Sequence, residues 1–170
     1  MSQEVRPQLL DGIHWRAAAW SGIVAGVVFL ALEMILWPLT GLGSPWEPVR
    51  MIAAILIGPS VLPPPASFNG PIFLAALFVH FSLSVFYAVS YAVFCALVLR
   101  ARLERLTALA QGLFGLIIYV VNFYGFVELF PWFVEARNGI SILVHIAWGI
   151  VLPWAYDVRF GAIEKGKGQS

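Results

Sequence analysis

Four apolar stretches, roughly 15–37, 71–99, 106–130 and 140–156, take up most of the chain, and Glu33, His80, Asn122 and His145, polar residues that lipid disfavours, each fall inside a different one. About 20 apolar residues suffice to cross a bilayer as a helix. Polar and ionisable side chains inside hydrocarbon are costly, so by default they face the bundle interior and mark a functional site. The chain therefore reads as an all-α, polytopic membrane protein: a four-transmembrane-helix bundle of one domain, residues 1–170, built around one buried polar site.

Composition agrees. Of the 170 residues 61% are hydrophobic and only 11% charged, against roughly 25% charged in soluble domains. A net charge of +1 gives no reason to expect nucleic acid as a partner. With Cys95 as the single cysteine, no intrachain disulfide and no thiol metal cluster can form. The first apolar stretch is longer than a signal-peptide core and ends without a small-residue cleavage site.

The basic residues set an orientation. Arg6, Arg16, Arg100, Arg102, Arg105, Arg159, Lys165 and Lys167 fall on one side of the four stretches; Arg50 and Arg137 fall on the other. Positive residues collect on the cytoplasmic side, so both termini and the Arg100–Arg105 turn are expected there. Trp15, Trp37, Trp132 and Trp154 lie at the expected interfaces, as an aromatic belt does.

The first outer loop is long and holds its own apolar run. Ser44, Pro45 and Glu47 have the pattern of a helix start, with Ser44 as cap, Pro45 in the first turn and Glu47 closing a capping box. Gly58, Pro59 and the prolines at 63–65 stop it. A short helix over about 45–59 is expected, interfacial or re-entrant, over the outer mouth of the bundle. A plain surface helix in the headgroups is the equally open alternative.

Helical spacing sorts the polar residues onto faces. Gly22, Gly26, Phe29 and Glu33 share one, and the two glycines permit close helix approach. His80, Ser84, Tyr87 and Tyr91 form a second stripe. Ala108, Gly112, Gly115, Tyr119 and Asn122 form a third, and Ser141, His145 and Trp148 a fourth. At 1.5 Å per residue, Glu33, His80, Asn122 and His145 lie roughly 8, 14, 12 and 9 Å from the outer helix ends, all in the outer half of the membrane. Glu128 sits just above them, as does an expected Glu135–Arg137 surface pair. The candidate polar intramembrane site is thus Glu33, His80, Asn122, His145, Tyr87, Tyr119 and Glu128. The plainer readings are packing: Asn122 as interhelical glue, histidines bonded to Glu33 and Asn122, Cys95 as inert filling.

Three segments, Asn122–Phe126 (NFYGF), Phe130–Asn138 (FPWFVEARN) and Ile52–Pro59 (IAAILIGP), together with His80, resemble a group of small, uncharacterised four-span bacterial proteins sometimes labelled sodium:proline symporter-like. The resemblance covers most of the chain and implies a bacterial inner (cytoplasmic) membrane protein. It implies no symporter mechanism: sodium–solute symporters have more spans, built as inverted repeats with broken helices. Small multidrug-resistance transporters also have four spans and a carboxylate in the first. They are shorter, with compact loops and weak charge bias, unlike this chain.

Three functional classes follow. In the first, the bundle is a ligand-binding or accessory and assembly subunit. His80 and His145 would then be axial ligands of haem b, or Glu33, His80 and His145, with Glu128, would hold a metal ion, or the site would hold a quinone head group. In the second, a homo-oligomer uses Glu33 and the histidines as an ion- or proton-coupled transporter or channel. In the third, the cluster is structural glue within a larger membrane complex. No nucleophile with its base, phosphate loop or hydrolase signature points to catalysis.

Overall fold

The structure is a computed structural model that describes residues 13–96 and 108–167, the last six of these and residue 108 by their backbone alone. The described residues are helical, without a strand. In order they are α1 (Trp15–Leu39), α2 (Trp46–Ile57), α3 (Gly70–Phe94), α4 (Ala108–Val120) and α5 (Gly139–Lys167), with short 3-10 turns at Pro59–Val61 and Pro131–Ala136. Three helices, α1, α3 and the Gly139–Gly161 part of α5, are long and apolar enough to cross a membrane.

The third apolar stretch departs from expectation. Instead of one helix over 106–130, α4 ends at Val120 and loosens into a π-turn at Val121–Gly125. There the Phe126 amide bonds the Val121 carbonyl five residues back, and Arg137 Nε donates to the Phe123 carbonyl at 2.8 Å. The apolar helix Leu109–Gly125 is shorter than the other three. The turn containing Arg100, Arg102 and Arg105 lies outside the described residues, as does Arg6.

The fourth stretch departs in the other direction, since α5 runs past 156 to Lys167. Polarity ends the lipid-compatible part of a helix, not its hydrogen bonding, and Asp157 and Arg159 continue it. Its start, Gly139, lies within a residue of the expected bound, and Asn138 Oδ1 caps it by accepting the Ser141 amide at 3.0 Å.

The loop helix also forms, within a residue or two of its expected bounds. Ser44 Oγ accepts the Trp46 amide at 3.3 Å, and Glu47 Oε1 accepts the Ser44 amide at 3.2 Å, which completes a variant capping box. Gly58, at φ +98, ends it in a conformation that only glycine adopts freely. Glu47 Oε2 accepts Trp37 Nε1–H at 3.2 Å, tying α2 to the end of α1. Arg50 donates to the carbonyls of Val61 (2.7 Å) and Ser67 (3.1 Å), fastening the descending chain. Trp132 Nε1–H reaches the Met51 carbonyl at 3.0 Å.

α1 packs along both α3 and α5, α4 packs on α5, and α2 packs on α3. Apolar side chains gain little from each other over lipid, so close packing and hydrogen bonds must hold such helices together. Glycines supply the close packing. A Cβ on Gly22 would lie 2.8 Å from Val85 Cα and 2.9 Å from the Ser84 carbonyl, so α1 and α3 meet nearly backbone to backbone. At the α4–α5 crossing a Cβ on Gly115 would collide with the His145 carbonyl, and one on Gly149 with the Gln111 carbonyl. Below the polar level the interior is sealed by Ala17, Ala18, Ala25, Ala88, Tyr91, Ala92 and Leu152.

Candidate functional site

Close approach at Gly22 and Gly26 brings α3 side chains within reach of α1 carbonyls. His80 Nε2–H donates to the Gly26 carbonyl at 2.8 Å. Ser84 Oγ donates to the Gly22 carbonyl at 2.7 Å and accepts Trp148 Nε1–H at 2.7 Å. Ser84 thereby links α1, α3 and α5 through one buried hydroxyl.

A second chain of bonds crosses the other side. Tyr87 O–H donates to Asn122 Oδ1 at 2.7 Å. Asn122 Nδ2–H donates to His145 Nε2 at 3.4 Å, and His145 Nδ1–H donates to the Ser141 carbonyl at 2.6 Å. The network itself assigns the neutral Nδ1–H tautomer to His145 and the Nε2–H tautomer to His80. Phe29 packs between the two imidazoles, with centroids 5.3 Å from His80 and 4.8 Å from His145.

These groups surround a cavity of about 410 Å³. Its size is in the usual range for small-molecule sites, roughly 300–1,000 Å³, which are mainly apolar with a few placed polar groups. Glu33, His80, Ser84, Tyr87, Asn122 and His145 supply the polar atoms. Pro48, Met51, Ile52 and Ile55 of α2 cover it from one end, and Phe123, Phe126, Phe130 and Phe133 form an aromatic wall. Glu33 is 4% exposed, lies on this cavity wall, and makes no hydrogen bond or ion pair among the described residues.

Glu33, His80, Asn122 and His145 are thus brought to one cavity, and Tyr87 joins them. Tyr119 does not line it: its ring is buried behind His145, at a centroid distance of 5.6 Å. Glu128 is exposed on the turn after α4. The expected Glu135–Arg137 pair is replaced, because the Arg137 guanidinium bonds Phe123 and stacks on Tyr124, 4.2 Å from its centroid. His80 pairs with a backbone carbonyl rather than with Glu33.

The metal set of Glu33, His80 and His145 is not assembled: no group of three or more His, Cys, Asp or Glu among the described residues is placed to hold a metal ion. Axial haem ligation by the two histidines is not prearranged either: His80 keeps Nδ1 open beside its Gly26 bond, but His145 has Nδ1 on Ser141 and Nε2 accepting from Asn122, so its ligation would break the Asn122 bond. The contributions of α2 and of the Phe123–Phe133 wall were missed in the sequence. The Ile52–Ile55 spacing on a helix placed over the mouth was the available signal.

No protein family, curated protein or solved structure matches the chain.

Proposed function

We propose that the chain is an integral protein of the bacterial inner membrane, crossing it four times with both termini cytoplasmic. In this reading it binds a small, largely apolar molecule in the cavity beneath α2, in the outer half of the bilayer. It serves as a ligand-binding subunit, alone or within a larger membrane complex. The observation that carries the reading is Glu33. A carboxyl group withdrawn from water without a protein partner costs stability, and such sites persist where they serve binding or chemistry.

The sealed interior below the cavity favours binding over transport. Beneath Ser84 and Trp148 the close α1–α3 crossing and the buried alanines fill the interior among the described residues, and a through-path between copies of the chain would be needed for transport. α2 acts as the cover, with its apolar residues turned to the cavity and Arg50 and Trp132 holding it down.

Native mass spectrometry of the purified protein tests the proposal. A tightly bound organic molecule should accompany the wild-type chain and be lost on narrowing the cavity with Ile118→Trp, a substitution on its α4 wall. If wild type carries nothing and binds no member of a panel of membrane-soluble ring compounds, the binding reading falls and the packing reading stands.

A further inference from the structure

Two features of the cavity constrain its ligand further, given that it is a ligand site. The first is the inventory of unspent hydrogen-bonding capacity. His80 donates through Nε2 to Gly26, which leaves Nδ1 of the neutral ring as an acceptor. The Tyr87 proton is spent on Asn122, which leaves the lone pairs of its hydroxyl oxygen. Both His145 nitrogens are committed, and Asn122 keeps one N–H of its Nδ2 after donating to His145. Glu33 has no partner among the described residues, and a buried carboxyl without a counter-charge is neutral, so it presents one carbonyl acceptor and one O–H that can give or accept. Acceptors thus outnumber donors on the wall, and His80 Nδ1 and the Tyr87 oxygen can only accept.

The second is where the cavity opens. Among the described residues α3 and α4 do not pack along one another; α3 leans on α1 and α4 on α5. The cavity lies between them, and its rim there is apolar and outward-facing: Leu83 is 37%, Phe86 62%, Phe126 37% and Leu129 67% exposed. On a surface that faces lipid, such a rim is a side entrance from the hydrocarbon, and an aqueous solute has no reason to use it.

We propose that the ligand is a lipid-soluble hydroquinone that enters sideways between α3 and α4. Its hydroxyls donate to Glu33 and His80, its ring lies beside Phe29, and its tail leaves past Leu83 and Phe86 into the bilayer. The oxidised quinone presents carbonyl acceptors to the same wall and pairs less well. Binding alone is proposed, with no electron transfer in the site.

The full-length protein in nanodiscs is titrated anaerobically with decylubiquinol and separately with decylubiquinone, and bound fractions are read by native mass spectrometry. The quinol should bind about tenfold tighter, the factor expected where buried hydrogen bonds are mispaired. Glu33→Gln, which exchanges a hydroxyl that can give or accept for an NH2 that only donates, should shrink that preference. Leu83→Trp sits on the exposed rim, where folding is insensitive to it, and should slow quinol uptake about tenfold or more without moving the melting temperature. Equal or reversed affinities overturn the hydroquinone assignment while leaving the cavity as a ligand site, which the retained native molecule reports separately. Unchanged uptake by Leu83→Trp overturns lateral entry.

Discussion

Tyr87 on α3 and Asn122 on the π-turn after α4 are joined by a 2.7 Å hydrogen bond across the gap between two helices that, among the described residues, otherwise lean on α1 and α5 rather than on each other. The bond does two things. It orients the Asn122 amide so that its N–H faces His145 Nε2, and it fixes the width of the gap through which the cavity faces outward. A packing contact and the geometry of a candidate site are thus set by one phenolic proton.

Tyr87→Phe removes that proton and little else. Interhelical hydrogen bonds within membranes average about 0.6 kcal/mol, so a loss of roughly 0.5–1.5 kcal/mol is expected. Unfolding in detergent should show it. A loss well above that range would mean the hydroxyl has a further partner.

Ser84→Ala should cost more, although it too deletes a single hydroxyl. Trp148 Nε1–H would lose its acceptor, and a buried donor left unpaired costs about 1–3 kcal/mol. Ser90→Ala on the same helix is the control, because Ser90 Oγ only bonds back to the Phe86 carbonyl of its own helix. Equal stability of the two variants would contradict the three-helix role given to Ser84.

Two glycines of α4 separate close approach from mere smallness. A Cβ on Gly112 meets the Ile146 Cγ2 methyl at 3.3 Å, which a side chain can relieve, whereas one on Gly115 meets the His145 backbone carbonyl. Gly112→Ala should lie within about 1 kcal/mol of wild type, and Gly115→Ala should lose about 3 kcal/mol. Thermal unfolding of the pair checks this, and matched stabilities would place the α4–α5 crossing elsewhere.

Polar residues were the readable part of this sequence because lipid makes each one expensive. Glu33, His80, Asn122 and His145 stood out against an apolar background, and their helical registers placed them at one level. The capping pattern at Ser44–Glu47 gave α2 for a similar reason, since orphan amides must be satisfied whatever the solvent. Apolar positions were mute. A helix that is apolar all round does not distinguish lipid from protein by its periodicity, so the Ile52–Ile55 spacing alone did not say whether that face of α2 met the cavity or the bilayer. Smallness was equally ambiguous: Gly149, half of the α4–α5 crossing, looked like any other glycine. The π-turn where α4 ends early is bonded to Tyr87, His145 and Arg137, partners that the periodicity of its own stretch does not reveal.

Orientation can be tested independently of the site. With eight of ten basic residues on one side, a cysteine introduced within 166–170 should be shielded from an impermeant thiol reagent in spheroplasts. Ser60→Cys, on the exposed turn after α2, should react. Native Cys95 is buried and should not interfere. Labelling of the 166–170 position from outside would reverse the assignment of the cavity to the outer half.

Glu33 separates function from packing most sharply. If its carboxyl were glue, it would have a partner to lose, and Glu33→Leu would destabilise the bundle. The wild-type side chain is 4% exposed and has no hydrogen-bonding partner among the described residues, so the opposite is expected. Glu33→Leu removes an unsatisfied polar group from an apolar wall and should stabilise the fold by about 1–2 kcal/mol. Glu33→Gln should stay near wild type. Both should weaken or abolish ligand retention, because the carboxyl oxygens are what the cavity offers to a bound head group. Melting temperature and bound-ligand content, measured on the same preparations, give the two readouts. A destabilised Glu33→Leu that still carries its ligand would assign the carboxylate to structure and remove it from the site.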